Sequence, residues 1–478
     1  MNLKWVLLLA LPIAAWGQDN HYESLQLGAR NSILTGAGVS RWQDQTAVFM
    51  NPATLIQADF KGITFNTAAI GLSNISFTNG LGNGFNLKSS SFRFLPALIG
   101  GDFKSKKNDR LRFGYAIYHR NRDDLRFASR AEYKANIINE VESPGQEDYI
   151  AQYAIDKTFD ETVAVFGFGY KLSDQWSIGA TFQGIYMSTQ LIESLNATII
   201  TNPNVSPSVD VVSANEYFNT RVSKAMAQLK FGLAYQHEGW SGGLTLSTPT
   251  IGVFGTGEID ANINLNDIKL SSFPDRRSFF ASARLEKLKA TYKYPLSVSA
   301  GLGKQMRRLY VYGNVSAYLP IEKYVVLDPG NVAFLRPATS SNVLNTPNFL
   351  QVWSVNRMVV NGAIGFDWQF NQRTRFLMSY ALDQHFSETR PSDPGYQLPR
   401  KIWNLNHVNA GVQLSKERSE WIVGVQTAFG GDPNFQQPTS FDGPTEEGFL
   451  QGKRTTGEVK STNLGLVVSY SFKFAEKR

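Results

Sequence analysis

Few residues in this chain are arranged for bond-making chemistry. The five histidines, His21, His119, His237, His385 and His407, stand far apart. None has a second ligand at metal spacing, and no HExxH pair occurs. No GxSxG turn offers a nucleophile elbow. The run Gly36-Ala37-Gly38-Val39-Ser40-Arg41 lacks the Lys-Ser/Thr of a phosphate-binding loop. With no cysteine, disulfides, thiolate metal sites and thiol nucleophiles are excluded. Asp383-Gln384-His385 sets a carboxylate near an imidazole, the pairing that orients a general base. A polar pair in a wall or loop is the simpler reading of it. The chain reads as a non-enzyme without metal or cofactor.

The remaining candidates are side chains that strand geometry would turn inward, so the strands come first. In a strand, successive side chains point to opposite faces. Leu464, Leu466, Val468, Tyr470, Phe472 and Phe474 alternate with small or polar residues, which gives one apolar face. The same pattern recurs in pairs. Ala164, Phe166, Phe168, Tyr170 and Leu172 precede a turn at Ser173-Asp174, and Trp176, Ile178, Ala180, Phe182 and Tyr186 follow it. The alternation predicts strands at 61–71, 91–104, 109–120, 160–172, 175–190, 224–237, 240–249, 293–305, 309–319, 357–371, 373–386, 403–416, 420–430 and 461–474. Their connections alternate short and long, the long ones being 72–90, 121–159, 191–223, 250–292, 320–356, 387–402 and 431–460. An even strand count with short turns at one end and long loops at the other is the pattern of a bacterial outer-membrane barrel. The fold expected is therefore all-β: a 14-stranded antiparallel transmembrane β-barrel over 61–478, in contact with outer-membrane lipid and lipopolysaccharide.

Composition agrees. Aromatic residues make up 13% of the chain, and no segment after the N-terminus approaches the roughly 20 apolar residues of a membrane helix. Trp176, Trp240, Trp368 and Trp421 sit beside short turns, where an aromatic girdle would lie. Residues 1–17 read as a signal peptide. Lys4 is the positive end, Trp5–Ala14 the apolar run, and Ala15 and Gly17 the small residues before a cut ahead of Gln18. Without cysteine there is no lipid anchor. Net charge is +7, with both signs interspersed, and no basic face with aromatics suggests nucleic acid.

The inward positions of such a barrel hold the candidate site. Tyr118, Ile185, Met187, Tyr310, Tyr312, Tyr318 and Leu377 are large and apolar in part, and either pack against something in the lumen or face a hydrophobic ligand. Arg112 and Arg375 are candidates for an anionic headgroup, and a mutually paired lumen network is the alternative. Pro96 and Gly100-Gly101 predict a bulge in the second strand.

Residues 18–60 precede the barrel and are long for a tail. Gly36-Ala37-Gly38, Asp44, Thr46-Ala47-Val48 and Asn51-Pro52-Ala53 resemble the N-terminal hatch of the FadL-type outer-membrane transport proteins. Ser247-Thr248-Pro249 and Pro295 also look like that family's pattern. The resemblance implies a hatch over 18–60 in the lumen and diffusive transport of hydrophobic small molecules such as long-chain fatty acids or hydrocarbons. It also implies gating at Gly36, Gly38, Asn51, Pro52 and Ala53. Some relatives look like parts of protein-secretion machinery, which leaves an interaction barrel with a secretion partner as the alternative. Ala475–Arg478, after the last aromatic, depart from the usual barrel ending. On physical grounds alone, Asn51-Pro52 makes a rigid turn, because Pro fixes its own φ and restricts its predecessor.

Overall fold

The structure, a computed structural model, describes residues 21–23, 27–58, 62–202, 211–270, 275–337, 345–388, 390, 393–398, 401–416 and 419–473. The expected signal peptide and Ala475–Arg478 lie outside them.

Long strands come first: β1 (Gly62–Thr78), β2 (Leu87–Lys104), β3 (Leu111–Ala135), β4 (Glu147–Lys171), β5 (Trp176–Ile200) and β6 (Val211–His237). Then come β7 (Trp240–Ser247), β8 (Ile251–Ile268), β9 (Arg277–Lys289) and β10 (Ser297–Met306). Shorter elements follow: β11 (Leu309–Tyr318), β12 (Ile321–Leu327), β13 (Val352–Asn356), β14 (Val359–Gln369), β15 (Thr374–Asp383), β16 (Tyr396–Gln397) and β17 (Leu405–Ser415). The last two are β18 (Ser419–Gln436) and β19 (Thr456–Lys473). One 16-stranded sheet runs in the order β5-β4-β3-β2-β1-β19-β18-β17-β15-β14-β11-β10-β7-β6-β8-β9. Every neighbouring pair in it is antiparallel, and β5 also pairs with β6 from Trp176↔Tyr235 to Ile200↔Val211. β12, β13 and β16 form a separate three-stranded sheet.

All fourteen segments expected from alternation overlap observed strands. The expected long loops need correction. Much of 121–159, 191–223 and 250–292 is strand, as extensions of β3, β4, β5 and β6 and as β8 and β9. The cause is visible in β5. Its even positions Trp176, Ile178, Phe182 and Tyr186 are apolar and exposed, while Ser177, Thr181 and Gln183 are buried. Beyond Tyr186 the apolar residues move to the odd, buried positions: Met187, Leu191, Leu195, Ala197 and Ile199. The ladder to β4 and β6 continues unbroken through the exchange. One strand therefore carries an apolar exposed face at one end and an apolar buried face at the other.

At the long-strand end the buried face packs into a core. Phe77 meets Phe127 and Phe435 edge-on, with ring centroids 4.9 and 5.1 Å apart. The inserted sheet contributes Val352, Trp353 and Tyr396, and the β18–β19 connection contributes Phe441 and Leu450. The β2–β3 ladder runs only from Leu98↔Tyr118 to Lys104↔Arg112, and β3 continues past it paired with β4. Register shifts in β1–β2 fall opposite Pro96, at the expected bulge.

Among its described residues the N-terminal segment has no strand. It forms a 3₁₀ turn at Ala37–Val39, one α-helical turn at Ala47–Met50 and a 3₁₀ helix at Pro52–Gln57. These lie against the buried face of β3 to β7, β10 and β11.

Candidate functional site

An irregular segment of this kind leaves many backbone groups without ladder partners, and buried ones must be satisfied. Two side chains of the segment do much of this. The Asp44 carboxylate accepts the backbone N–H of Arg30 (2.7 Å), Asn31 (3.1 Å) and Thr46 (2.9 Å), which folds the chain back on itself. Asn51 is fully buried, with extended backbone, and caps the 3₁₀ helix by accepting the Ala53 N–H at 3.1 Å. Its Nδ2 donates to the Val39 carbonyl at 2.7 Å and to the Leu233 carbonyl of β6 at 3.1 Å. One amide thus joins two turns of the segment to the sheet.

The sheet makes room for this. A Cβ at Gly243 would lie 1.8 Å from the Val39 carbonyl oxygen, and one at Gly232 would lie 2.1 Å from Asn51 Oδ1. Only glycine allows so close an approach. Gly36 has φ +79°, and a Cβ there would strike Asn314.

Side chains of the buried face supply the remaining bonds. Ser177 of β5 donates to the Ala53 carbonyl (2.9 Å), Lys230 of β6 to Phe49 O (2.6 Å) and Tyr312 of β11 to Thr35 O (2.9 Å). Ser379 of β15 donates to Ile33 O and Gln426 of β18 to Ser32 O, each at 2.6 Å. These five side chains serve the segment's carbonyls rather than one another. Their signal in the sequence was polarity at alternate strand positions, and nothing local shows which partner each takes.

A cavity of about 160 Å³ remains between segment and sheet. Its lining includes Tyr22, Phe49 and Met50 from the segment, and Tyr118, Arg120, Glu161, Lys230, Tyr294 and Tyr318 from the sheet side. Arg120 pairs with Glu161, which also accepts from the Tyr294 hydroxyl. The Arg120 guanidinium lies over the Tyr294 ring, 4.2 Å from its centroid. The lining is therefore mixed: aromatic faces around an ion pair and an ammonium.

No protein-family model matches the sequence, and no curated protein matches it. Solved structures do match in shape. The Pseudomonas putida toluene transporter TodX superposes with a TM-score of 0.54 at 14% identity, over 95% of this chain and 100% of that one. A Pseudomonas aeruginosa FadL homologue gives 0.53 at 13% identity, over 97% and 100%. The fold is that of the FadL-type transport proteins. The Ralstonia pickettii toluene transporter TbuX agrees, with a TM-score of 0.51 at 12% identity over 95% and 100% of the two chains.

In this chain, the expected inward residues separate into three groups. Tyr118 and Tyr318 line the cavity, and Tyr118 stacks on Phe49 with ring centroids 4.3 Å apart. Tyr318 donates to Glu23 at 2.8 Å and stacks on Tyr22. Tyr310, Tyr312 and Leu377 pack under the segment instead. The Tyr310 hydroxyl meets Ser40 at 3.1 Å and Ser241 at 2.9 Å, and Leu377 clusters with Ile33, Leu34 and Ala37. Ile185 and Met187 belong to the buried core of the sheet, away from the cavity lining.

Of the proposed hatch residues, Gly36 lines the cavity. Gly38 donates its N–H to Asn31 Oδ1 at 3.2 Å. Pro52 and Ala53 begin the 3₁₀ helix that Asn51 caps. The two headgroup candidates stand elsewhere. Arg112 is buried against Asp102 and donates to Ala58 O at 2.6 Å. Arg375 donates to Asp367 at 2.8 Å, and Asp367 is shared with Arg30 of the segment. The cations that do line the cavity are Arg120 and Lys230. As for Asp383, its carboxylate accepts from Asn361 at 2.7 Å and lies 3.8 Å from His407.

Proposed function

We propose that this chain is an outer-membrane channel of the bacterial cell. It would pass hydrophobic small molecules of fatty-acid or hydrocarbon type by diffusion, with residues 18–60 as its hatch. The fourteen strands from β5 to β6 in pairing order, joined again by the β5–β6 ladder, support a closed barrel. The band of exposed apolar positions supports a bilayer around it: Trp176 to Tyr186 on β5, Leu229 and Phe231 on β6, and Trp240 to Leu246 on β7. Trp176, Trp240, Trp368 and Trp421 are exposed beside short turns, as an interfacial girdle requires. Contact with membrane lipid and lipopolysaccharide follows from that location.

The observation that carries the reading is the seat of the N-terminal segment. It is bonded through side chains to the buried face, beside a cavity, in a sheet whose exposed face suits lipid. The likeness in fold to toluene transporters supports a hydrophobic cargo. Gating would proceed by release of the turn held by Asn51, with Gly36, Gly38, Pro52 and Ala53 moving along. Tyr118 and Tyr318 would meet the ligand first.

The test is uptake of labelled long-chain fatty acid and of toluene by cells expressing the chain. Wild type is expected to exceed vector controls for at least one of them, and Asn51→Ala to change the rate. No uptake above control overturns the channel, and unaltered uptake by Asn51→Ala removes the gate.

A further inference from the structure

The long-strand end carries a group of buried ionisable side chains that the cavity does not use. Glu193 of β5 and Glu216 of β6 both point to the buried face. In register, Glu193 stands opposite Phe218 and Glu216 opposite Leu195, so the two carboxylates are diagonal neighbours across one ladder. Such neighbours stand roughly 7–8 Å apart. They lie beyond the exposed apolar band. Glu193 is seven residues past Tyr186, about 23 Å along the strand.

Each acid holds a different inserted piece of chain. Glu193 accepts the Tyr153 hydroxyl of β4 at 2.6 Å and the Tyr396 hydroxyl of the inserted sheet at 2.8 Å. Tyr396 in turn stacks on Phe218, with ring centroids 3.8 Å apart. Glu216 accepts Gln451 Nε2 of the β18–β19 connection at 3.4 Å, and the neighbouring Leu450 carbonyl accepts the Tyr149 hydroxyl at 2.8 Å. The charged group facing both acids is Arg454, from the same connection. Facing Glu193 are thus Tyr153, Tyr396, Glu216 and Arg454; facing Glu216 are Glu193, Gln451 and Arg454.

We propose that Glu193, Glu216 and Arg454 form a proton-dependent latch that fastens the inserted sheet and the β18–β19 connection to the long-strand wall. One buried cation can balance one buried carboxylate. The pair is therefore neutral with Arg454 while it keeps one proton, and it carries an uncompensated buried charge once that proton leaves. The two sites titrate as a unit. Burial pushes each carboxyl up, to about 7, and Arg454 opposes the rise. These folded values lie above the unfolded one, so the stabilisation is full at acid pH and lost as pH rises through about 7. The inserted pieces then loosen from the wall.

The absence of cysteine makes the test direct. Spin labels are placed on the full chain in detergent at Glu447→Cys, in the exposed part of the β18–β19 connection, and at Asn196→Cys on β5. Interlabel distances are then measured at about pH 5.5 and about pH 8.5, on either side of the expected transition. The expected result is a narrow distribution at the lower pH that broadens at the higher, with a midpoint near 7. The double variant Glu193→Gln/Glu216→Gln, with neutral amides in place of the acids, stays narrow at both. Arg454→Met removes the cation that favours ionisation and moves the midpoint to higher pH. Equal distributions at the two pH values in the otherwise native chain overturn the latch. So does pH-dependent broadening that persists in the double variant, or in Glu216→Gln alone should the double variant fail to fold.

Discussion

Asn51→Ala is the sharpest probe of the N-terminal segment. The substitution removes three hydrogen bonds of a fully buried amide: to Val39 O, to Leu233 O and from Ala53 N–H. A buried hydrogen bond contributes about 1 kcal/mol net, so the seat should weaken by about 3 kcal/mol. At about 1.4 kcal/mol per decade, that raises the unseated population roughly hundredfold. The loss is local, because one of these bonds ties the segment to β6, the other two lie within the segment, and the strand ladders stay intact.

A thiol reporter at Ala47→Cys, buried in the segment's helical turn, reads this population. When closing is fast, labelling by a water-soluble reagent is proportional to the open fraction. Adding Asn51→Ala should speed labelling about a hundredfold, with heat resistance of the sheet unchanged. A rate within about threefold of the parent would mean that Asn51 does not hold the segment, since even one lost bond predicts about fivefold. Equal acceleration at a reporter placed in the core of the long-strand end would show that the substitution loosens the whole protein, and would refute the local argument.

Three further outcomes follow from the same geometry. Gly243→Ala sets a methyl 1.8 Å from the Val39 carbonyl, so the same thiol reporter should label faster, with unchanged β-structure by circular dichroism. Phe182→Arg, in the middle of the exposed apolar band, should cost about 2–4 kcal/mol of stability in a denaturant titration of protein folded in lipid vesicles, whereas a soluble surface would tolerate it. Glu142 bonds Lys269 at 2.7 Å and Arg276 at 2.7 and 3.0 Å, joining two connections outside the band. Those cations hold its carboxyl below the ordinary value, the Lys269 bond contributing most. The clasp is therefore complete above the usual carboxylate range and lost as pH falls through the lowered value. Protease nicking near 139–143 should rise in acid, and Glu142→Gln should remove that dependence.

The half of the fold that carries the exposed apolar band is legible because one parity stays largely apolar for several residues. The other half is not, and β5 shows why. Up to Tyr186 the apolar set is even and exposed; from Met187 it is odd and buried, because the apolar side chains pass from the outer face to the core. A search that follows one parity stops at the exchange and reads 191–223 as a loop, although the ladder to β6 runs on to Ile200↔Val211. The N-terminal turn was legible in part: Asn51-Pro52 predicts a rigid turn, and the structure has Asn51 capping a 3₁₀ helix begun by Pro52. Its partners were not legible, since Val39 is 12 and Leu233 is 182 residues away.

The choice of cavity residues follows from the same limit. Arg112 and Arg120 have the same charge and similar strand positions, and parity alone makes both inward candidates. What separates them is the nearest carboxylate. Arg112 has Asp102 in the adjacent strand and a segment carbonyl besides, which uses its guanidinium within the wall. Arg120 meets Glu161 next to the cavity, and its Nη2 remains buried without a hydrogen-bond partner. A cation whose donors are all spent holds structure, whereas one that keeps a donor toward a cavity can still recognise something. Lys230 is intermediate: its ammonium faces the cavity and also holds the Phe49 carbonyl. A ligand group that draws Lys230 away would release the helical turn Ala47–Met50 from β6, while Asn51 would still anchor the next turn. Both bonds therefore hold the segment, and Lys230→Met combined with Asn51→Ala should speed thiol labelling at Ala47→Cys by more than either alone. A double variant no faster than Asn51→Ala would show that the Lys230 bond does not hold the turn.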